Sequence, residues 1–110
     1  MDRWSSFLMS AVARWRLERR IKRESMRISS EIFPTLWENV RRKITSDNKN
    51  ELTAYIKTRA AQLSQERVDA LLQANSELSG VFATRLLLRS AERATDSILA
   101  AVASAQRSAA

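Results

Sequence analysis

The near absence of glycine and proline is the strongest constraint on how this chain can fold. Only one glycine, Gly80, and one proline, Pro34, occur in 110 residues, whereas soluble proteins average about 7% glycine and 5% proline. Folds rich in strands and turns use both residues often, so their scarcity favours long helices. We therefore predict an all-α fold, a small helical bundle that forms a single domain over residues 1–110.

Pro34 is the firmest predicted boundary in this bundle. Proline disfavours helical geometry at the residue before it, here Phe33, so residues 1–33 are predicted to form a basic, aromatic N-terminal helix. Thr35 and Glu38 have the spacing of a capping box, in which two side chains satisfy free backbone donors at a helix start. The spacing predicts a short second helix over residues 35–45.

Residues 47–106 are predicted to form a long antiparallel helical hairpin. The segment from Thr45 to Asn50 is rich in residues that favour loops and caps. After it, apolar residues recur at helical spacing, at Leu52, Ile56, Leu63, Ala70, Ala74 and Leu78, and again at Leu87, Leu88, Ala91, Ala94, Ile98, Val102 and Ala105. We interpret Gly80 as the turn, with a left-handed cap at Gly80 or a helix cap at Ser79; one continuous rod is the alternative.

Charge and aromatic side chains are concentrated at one end of the chain. Residues 1–43 contain 11 of the 19 Lys and Arg side chains and 5 of the 12 acidic ones. This part therefore supplies +6 of the net charge of +7. It also contains five of the seven aromatic side chains. A binding surface is expected here rather than in the remaining 67 residues.

The missing residue types argue against catalysis. The chain has no histidine and no cysteine, which removes the usual general base near neutral pH, the common nucleophile pairs and most zinc, copper and haem ligands. Both the Walker phosphate-binding loop and the Gly-x-Gly-x-x-Gly dinucleotide-binding motif need more than one glycine, so the sequence can contain neither. We predict a protein that is not an enzyme and that has no catalytic, metal or cofactor site.

A run of basic residues is the first candidate binding feature. Residues 14–27 contain seven cationic side chains, which we take as candidate contacts to an acidic surface: Arg14, Arg16, Arg19, Arg20, Lys22, Arg23 and Arg27. A basic ridge on a helix matches what a nucleic-acid phosphate backbone requires. The simpler interpretation is a solvated face of a helix whose other side, with Ile21 and Ile28, packs into the bundle.

The second candidate feature is an apolar stripe that precedes the basic run. Its anchors recur every three or four residues, at Trp4, Phe7, Leu8 and Trp15. Such a stripe beside arginines suits a groove of a partner protein or an anionic membrane interface, while the simplest interpretation is burial in the core. The stripe shifts around the helix between Trp15 and Leu17, so one neighbouring helix cannot bury both halves equally well.

These features predict a helical protein–protein interaction or assembly module whose basic N-terminal helix contacts an acidic partner surface. The predicted assembly is a homo-oligomer or a larger complex of which this chain is a subunit. Nucleic-acid binding through residues 14–27 is the alternative, and association with anionic membranes ranks third. Since the chain has no cysteine, we predict a cytoplasmic location. The mitochondrial matrix is the alternative, from an N-terminus rich in arginine and serine.

Overall fold

The computed structural model describes residues 3–45, 48–78 and 80–109. Three helices follow one another: α1 over Arg3–Arg41, α2 over Lys49–Ala74 and α3 over Gly80–Ala109. No strand occurs among the described residues, and the predicted all-α class is confirmed. Within the described ranges the number of helices is three rather than the predicted four.

The predicted break at Pro34 is wrong, because α1 runs through this residue and the separate helix over residues 35–45 does not exist. Proline inside a helix removes one backbone hydrogen bond and crowds the carbonyl four residues earlier, at a cost of about 3 kcal/mol. Pro34 and Ser30 are both exposed, so the disrupted hydrogen bond lies near the surface of the protein. Beyond Pro34, Leu36 and Val40 are fully buried, and burying each side chain contributes roughly 1.5–3 kcal/mol. Tertiary packing therefore outweighs the local preference.

Asparagines mark the two ends of α2. Asn48 is the N-cap residue, and its Oδ1 accepts a hydrogen bond from the Glu51 backbone N–H at 2.8 Å. At the other end the Asn75 backbone N–H donates to the Leu71 carbonyl at 3.0 Å. The predicted start at residue 47 and the predicted cap at Ser79 lie outside the described residues. Gly80 is the first residue of α3 and has no positive φ, so it is not a left-handed cap.

Contacts between the helices establish their directions. Arg59 Nε of α2 donates to Asn39 Oδ1 of α1 at 2.8 Å, and Arg67 Nη1 lies 3.4 Å from Glu31 Oε2. The two helices therefore run antiparallel to each other. Arg85, near the start of α3, pairs with Glu18 in the first half of α1. Further along both helices, Ser30 of α1 and Ser97 of α3 line one cleft, so α3 runs in the same direction as α1. All three helices contact one another.

The core is formed by one side of each helix. Its buried apolar residues are Ile21, Ile28, Ile32, Leu36 and Val40 from α1, Leu52, Ile56, Ala60, Leu63 and Val68 from α2, and Phe82, Leu86, Ala94, Ile98 and Val102 from α3. Phe33, Trp37 and Tyr55 pack against this core as partly buried side chains. Three residues of the predicted stripes are instead exposed: Ala70, Ala74 and Leu88.

Candidate docking site

The first 14 described residues of α1 are helical but contribute no side chain to the core. Every residue from 3 to 16 is exposed, and burial begins at Leu17 and Ile21. Neither glycine nor proline occurs between Arg3 and Phe33, so nothing in the local sequence ends the helix where its tertiary contacts end. At about 1.5 Å of rise per residue, this N-terminal segment, residues 3–16, is roughly 21 Å long.

The four predicted apolar anchors all lie on this segment and are exposed to solvent. Trp4 is 69% exposed, Phe7 66%, and Leu8 and Trp15 57% each. The structure therefore does not place them in the core, which was the simplest interpretation of their spacing. Successive helical residues are about 100° apart, which puts this apolar stripe roughly a quarter of a turn from the buried face of α1.

Two further apolar side chains of the segment were not predicted as anchors. Met9 is 71% exposed and Val12 is 46% exposed. Val12 lies beside Leu8 and Trp15 at helical spacing and extends the stripe, whereas Met9 lies on another side. The helical spacing from Leu8 and Trp15 is the sequence signal that could have identified Val12 as part of this stripe.

The seven predicted cationic contacts do not form one uniform ridge. Arg14, Arg16, Lys22 and Arg23 are exposed, and no ion pair engages them within the described part of the chain. The other three have partners. The Arg19 guanidinium lies 4.8 Å from the centroid of the Trp15 ring, and that of Arg20 lies 5.4 Å from the Phe82 ring.

Arg27 is the most fully neutralised of the seven. Its Nη2 lies 2.6 Å from Glu24 Oε2, and its Nη1 lies 3.0 Å from Glu31 Oε1. The hydrogen bond to Glu24 raises the pKa of the Arg27 guanidinium above its usual value, against a smaller opposite effect of burial. An arginine held by two carboxylates offers little to an external anion, so the free cationic surface ends near Arg23.

A cleft between α1 and α3 adds cations that the sequence pattern did not single out. It has a volume of about 430 Å³ and is lined by Trp15, Glu18, Arg19, Ile21 and Lys22 of α1 and by Arg89 and Arg93 of α3. Arg89 and Arg93 are one helical turn apart and therefore share a face. Helical periodicity places Arg89 and Arg93 opposite the apolar stripe of α3. It does not place them near Lys22, because that proximity depends on the packing of α3 against α1.

The described residues contain no cluster of three carboxylates that could hold a metal ion. None of the three helices, over the ranges described, has an apolar stretch long enough to cross a bilayer. Comparisons with models of known protein families, with curated proteins and with solved structures gave no match.

Proposed function

We propose that this chain is a non-enzymatic helical docking module, in which the three-helix bundle presents the N-terminal segment to an acidic surface of a partner protein. One observation carries the proposal: residues 3–16 form helix without any buried side chain, although two tryptophans, Phe7 and Leu8 lie on them. Exposed apolar side chains grouped on one face are typical of an interaction surface.

The chemistry of the segment favours an apolar groove with an acidic rim. Tryptophan, arginine and other large side chains dominate affinity when they enter pockets, and an amphipathic helix offers them at spacings of three and four residues. Arg14 and Arg16 stand near the end of the stripe, and no acidic residue occurs between Arg3 and Leu17. Carboxylates around the groove would complement these arginines.

The same charge distribution favours a different protein over a second copy of this chain. If two N-terminal segments packed against each other, the arginines of both copies would face a surface without carboxylates. Like charges brought together at an interface are unfavourable. We therefore propose a subunit role in a mixed assembly rather than a homo-oligomer formed through this segment.

Nucleic-acid binding is the second candidate, supported by the exposed and unpaired Arg16 and Arg23. It is the weaker of the two for structural reasons. Arg27 is paired with Glu24 and Glu31, and the Arg19 guanidinium already covers one face of the Trp15 ring, which reduces the surface for stacking on a base.

Site-specific photo-crosslinking tests the proposal in cells that make the protein. We expect Phe7→p-benzoylphenylalanine to give a protein adduct of one defined mass, because Phe7 lies on the docking surface. The same replacement at Lys57, an exposed residue of α2, is the control and should give no such adduct.

Charge reversal shows whether the adduct depends on the predicted surface. Arg14→Glu with Arg16→Glu should abolish the adduct, while Lys57→Glu with Arg107→Glu, an equal change of charge at exposed positions, should leave it intact. Adducts to nucleic acid, lost steeply as salt rises, would instead support the second candidate. Adducts of equal yield from Phe7 and Lys57 would contradict both.

A further inference from the structure

We propose that the cleft between α1 and α3 binds a phosphate monoester group in its dianionic form. Four cationic side chains line this cleft, Arg19 and Lys22 from α1 and Arg89 and Arg93 from α3. The proposal does not rest on the docking function, because its decisive residues are on α3 and not on the N-terminal segment.

The charges in the cleft are uncompensated. Lys22, Arg89 and Arg93 form no ion pair with any residue that the structure describes. Glu18, the one acidic residue of the lining, is held by Arg85. Asp96 lines the neighbouring cleft with Arg93 but is not paired with it. Bringing several cations together in this way is unfavourable unless an anion joins them.

Arg93 supplies a second and independent observation. Its Nε is buried, and it has no hydrogen-bond acceptor within the described ranges. Buried donors in native proteins are almost always satisfied, and an exception calls for an explanation such as a bound ion. An anion in the cleft would accept from the guanidinium of Arg93, and a small shift of this side chain would bring its buried Nε–H group to an anion oxygen.

Arginine and phosphate are complementary in shape as well as in charge. The planar guanidinium offers two parallel N–H donors to two phosphate oxygens, and a dianion accepts from several such groups at once. A cleft of about 430 Å³ has room for a phosphate together with the organic group it is attached to. The Trp15 ring in the cleft wall gives that organic group an apolar contact.

Two sources could present this chemistry, a soluble phosphorylated molecule and a lipid headgroup. The cleft shares Trp15 with the apolar stripe, so a headgroup in the cleft would bring the stripe to the membrane interface. The phosphate site itself is the same in both cases, and separate arms of the experiment distinguish the sources.

The first arm uses the full chain and inorganic phosphate, with NMR of the arginine Nε–Hε groups and titration calorimetry. We expect the Arg93 Nε–Hε signal to shift on saturation. We expect Arg89→Gln with Arg93→Gln to weaken binding roughly tenfold or more, since two charge-assisted hydrogen-bond donors are lost. Lys57→Gln with Arg107→Gln removes the same charge elsewhere and should leave the affinity unchanged.

The pH dependence identifies the ligand's ionic form. A phosphate monoester gains its second negative charge at a pKa of about 6, so affinity for glycerol phosphate, a soluble monoester, should rise between about pH 5 and pH 7. Sulfate, a dianion throughout this range, should bind with no such rise. The proposal is overturned if the Arg93 signal does not move, if both double variants weaken binding equally, or if glycerol phosphate and sulfate share one pH profile.

The second arm compares phosphatidylcholine vesicles containing phosphatidic acid with vesicles containing phosphatidylglycerol, which carries a phosphodiester. Binding to the phosphatidic acid vesicles alone, lost in Arg89→Gln with Arg93→Gln, assigns the site to a lipid headgroup. Binding of glycerol phosphate in solution without vesicle binding assigns it to a soluble ligand.

Duplex DNA binding that both double variants reduce alike would show a general charge effect and overturn the proposal. The crosslink from Phe7 should persist in Arg89→Gln with Arg93→Gln, so failure of either proposal can be recognised separately.

Discussion

At the scale of single residues, three serines within the bundle differ in how their hydroxyl groups are satisfied. Ser25, Ser64 and Ser90 are all fully buried. The Ser25 hydroxyl donates to the Lys22 carbonyl at 2.9 Å, but those of Ser64 and Ser90 have no hydrogen-bond partner among the described residues. A buried polar group without a partner costs about 1–3 kcal/mol.

We predict that Ser90→Ala makes the protein more stable. The substitution removes the unsatisfied hydroxyl and introduces a better helix former, so the free energy of unfolding should rise by about 1 kcal/mol. Urea denaturation followed by circular dichroism measures this change. Ser25→Ala is the matched control and should give little or no gain, because its hydroxyl is satisfied. A loss of stability in Ser90→Ala would mean that the hydroxyl has a partner.

At the scale of elements, tertiary packing keeps α1 helical through Pro34, where the local sequence predicts a break. Pro34 lies inside the helix with its ring exposed, while Ile32, Leu36 and Val40 hold both flanks of the helix in the core. We predict that Pro34→Ala keeps the fold and raises the free energy of unfolding by roughly 1–3 kcal/mol, since it restores a helical hydrogen bond and relieves crowding. Thermal unfolding measures the gain.

The neighbouring exposed residue Thr35 provides the control for this substitution. Thr35→Ala should alter stability by only about 0.5 kcal/mol or less. If Pro34→Ala were destabilising, a bend at Pro34 would be required for Leu36 and Val40 to reach the core. Comparing the two variants separates that geometric role from a general gain in helix propensity.

The elements also show which features could be read from sequence. The all-α class followed from backbone chemistry, because a chain with one glycine and one proline has few residues suited to turns. The cap at Asn48 lay in a segment whose side chains accept backbone hydrogen bonds. The prediction at Pro34 was wrong because the free-energy cost of a proline in a helix is local, whereas the burial that offsets this cost depends on packing against two other helices.

The two proposed binding surfaces also differ in how much the sequence could show of them. The apolar stripe was visible in the spacing of Trp4, Phe7 and Trp15, but its exposure was not, since the same spacing also describes a core face. For Arg89 and Arg93, periodicity gives only their place opposite the apolar stripe of α3. Their meeting with Lys22 depends on α3 lying beside α1, and helical periodicity alone does not specify which helices become neighbours.

At the scale of the whole molecule, the core and the proposed docking surface occupy different parts of one long helix. The structure extends 66 Å along its longest axis, and the core residues of α1 begin at Ile21. Side chains that touch nothing in the folded state contribute little to its stability. Substitutions in the N-terminal segment can therefore alter its surface chemistry without destabilising the bundle.

We predict that Trp4→Ser with Phe7→Ser leaves the free energy of unfolding within about 0.5 kcal/mol of the original chain. Ile98→Ala, at a fully buried site of α3, should lower it by about 2–5 kcal/mol through lost burial and a cavity. Trp37 packs against the core, so its fluorescence reports unfolding of the bundle in all three proteins. If the double variant lost as much stability as Ile98→Ala, Trp4 and Phe7 would be packing on the bundle in solution. If its stability is unchanged, any loss of partner crosslinking in that variant reflects the removed contact surface, because the scaffold that presents it is still folded.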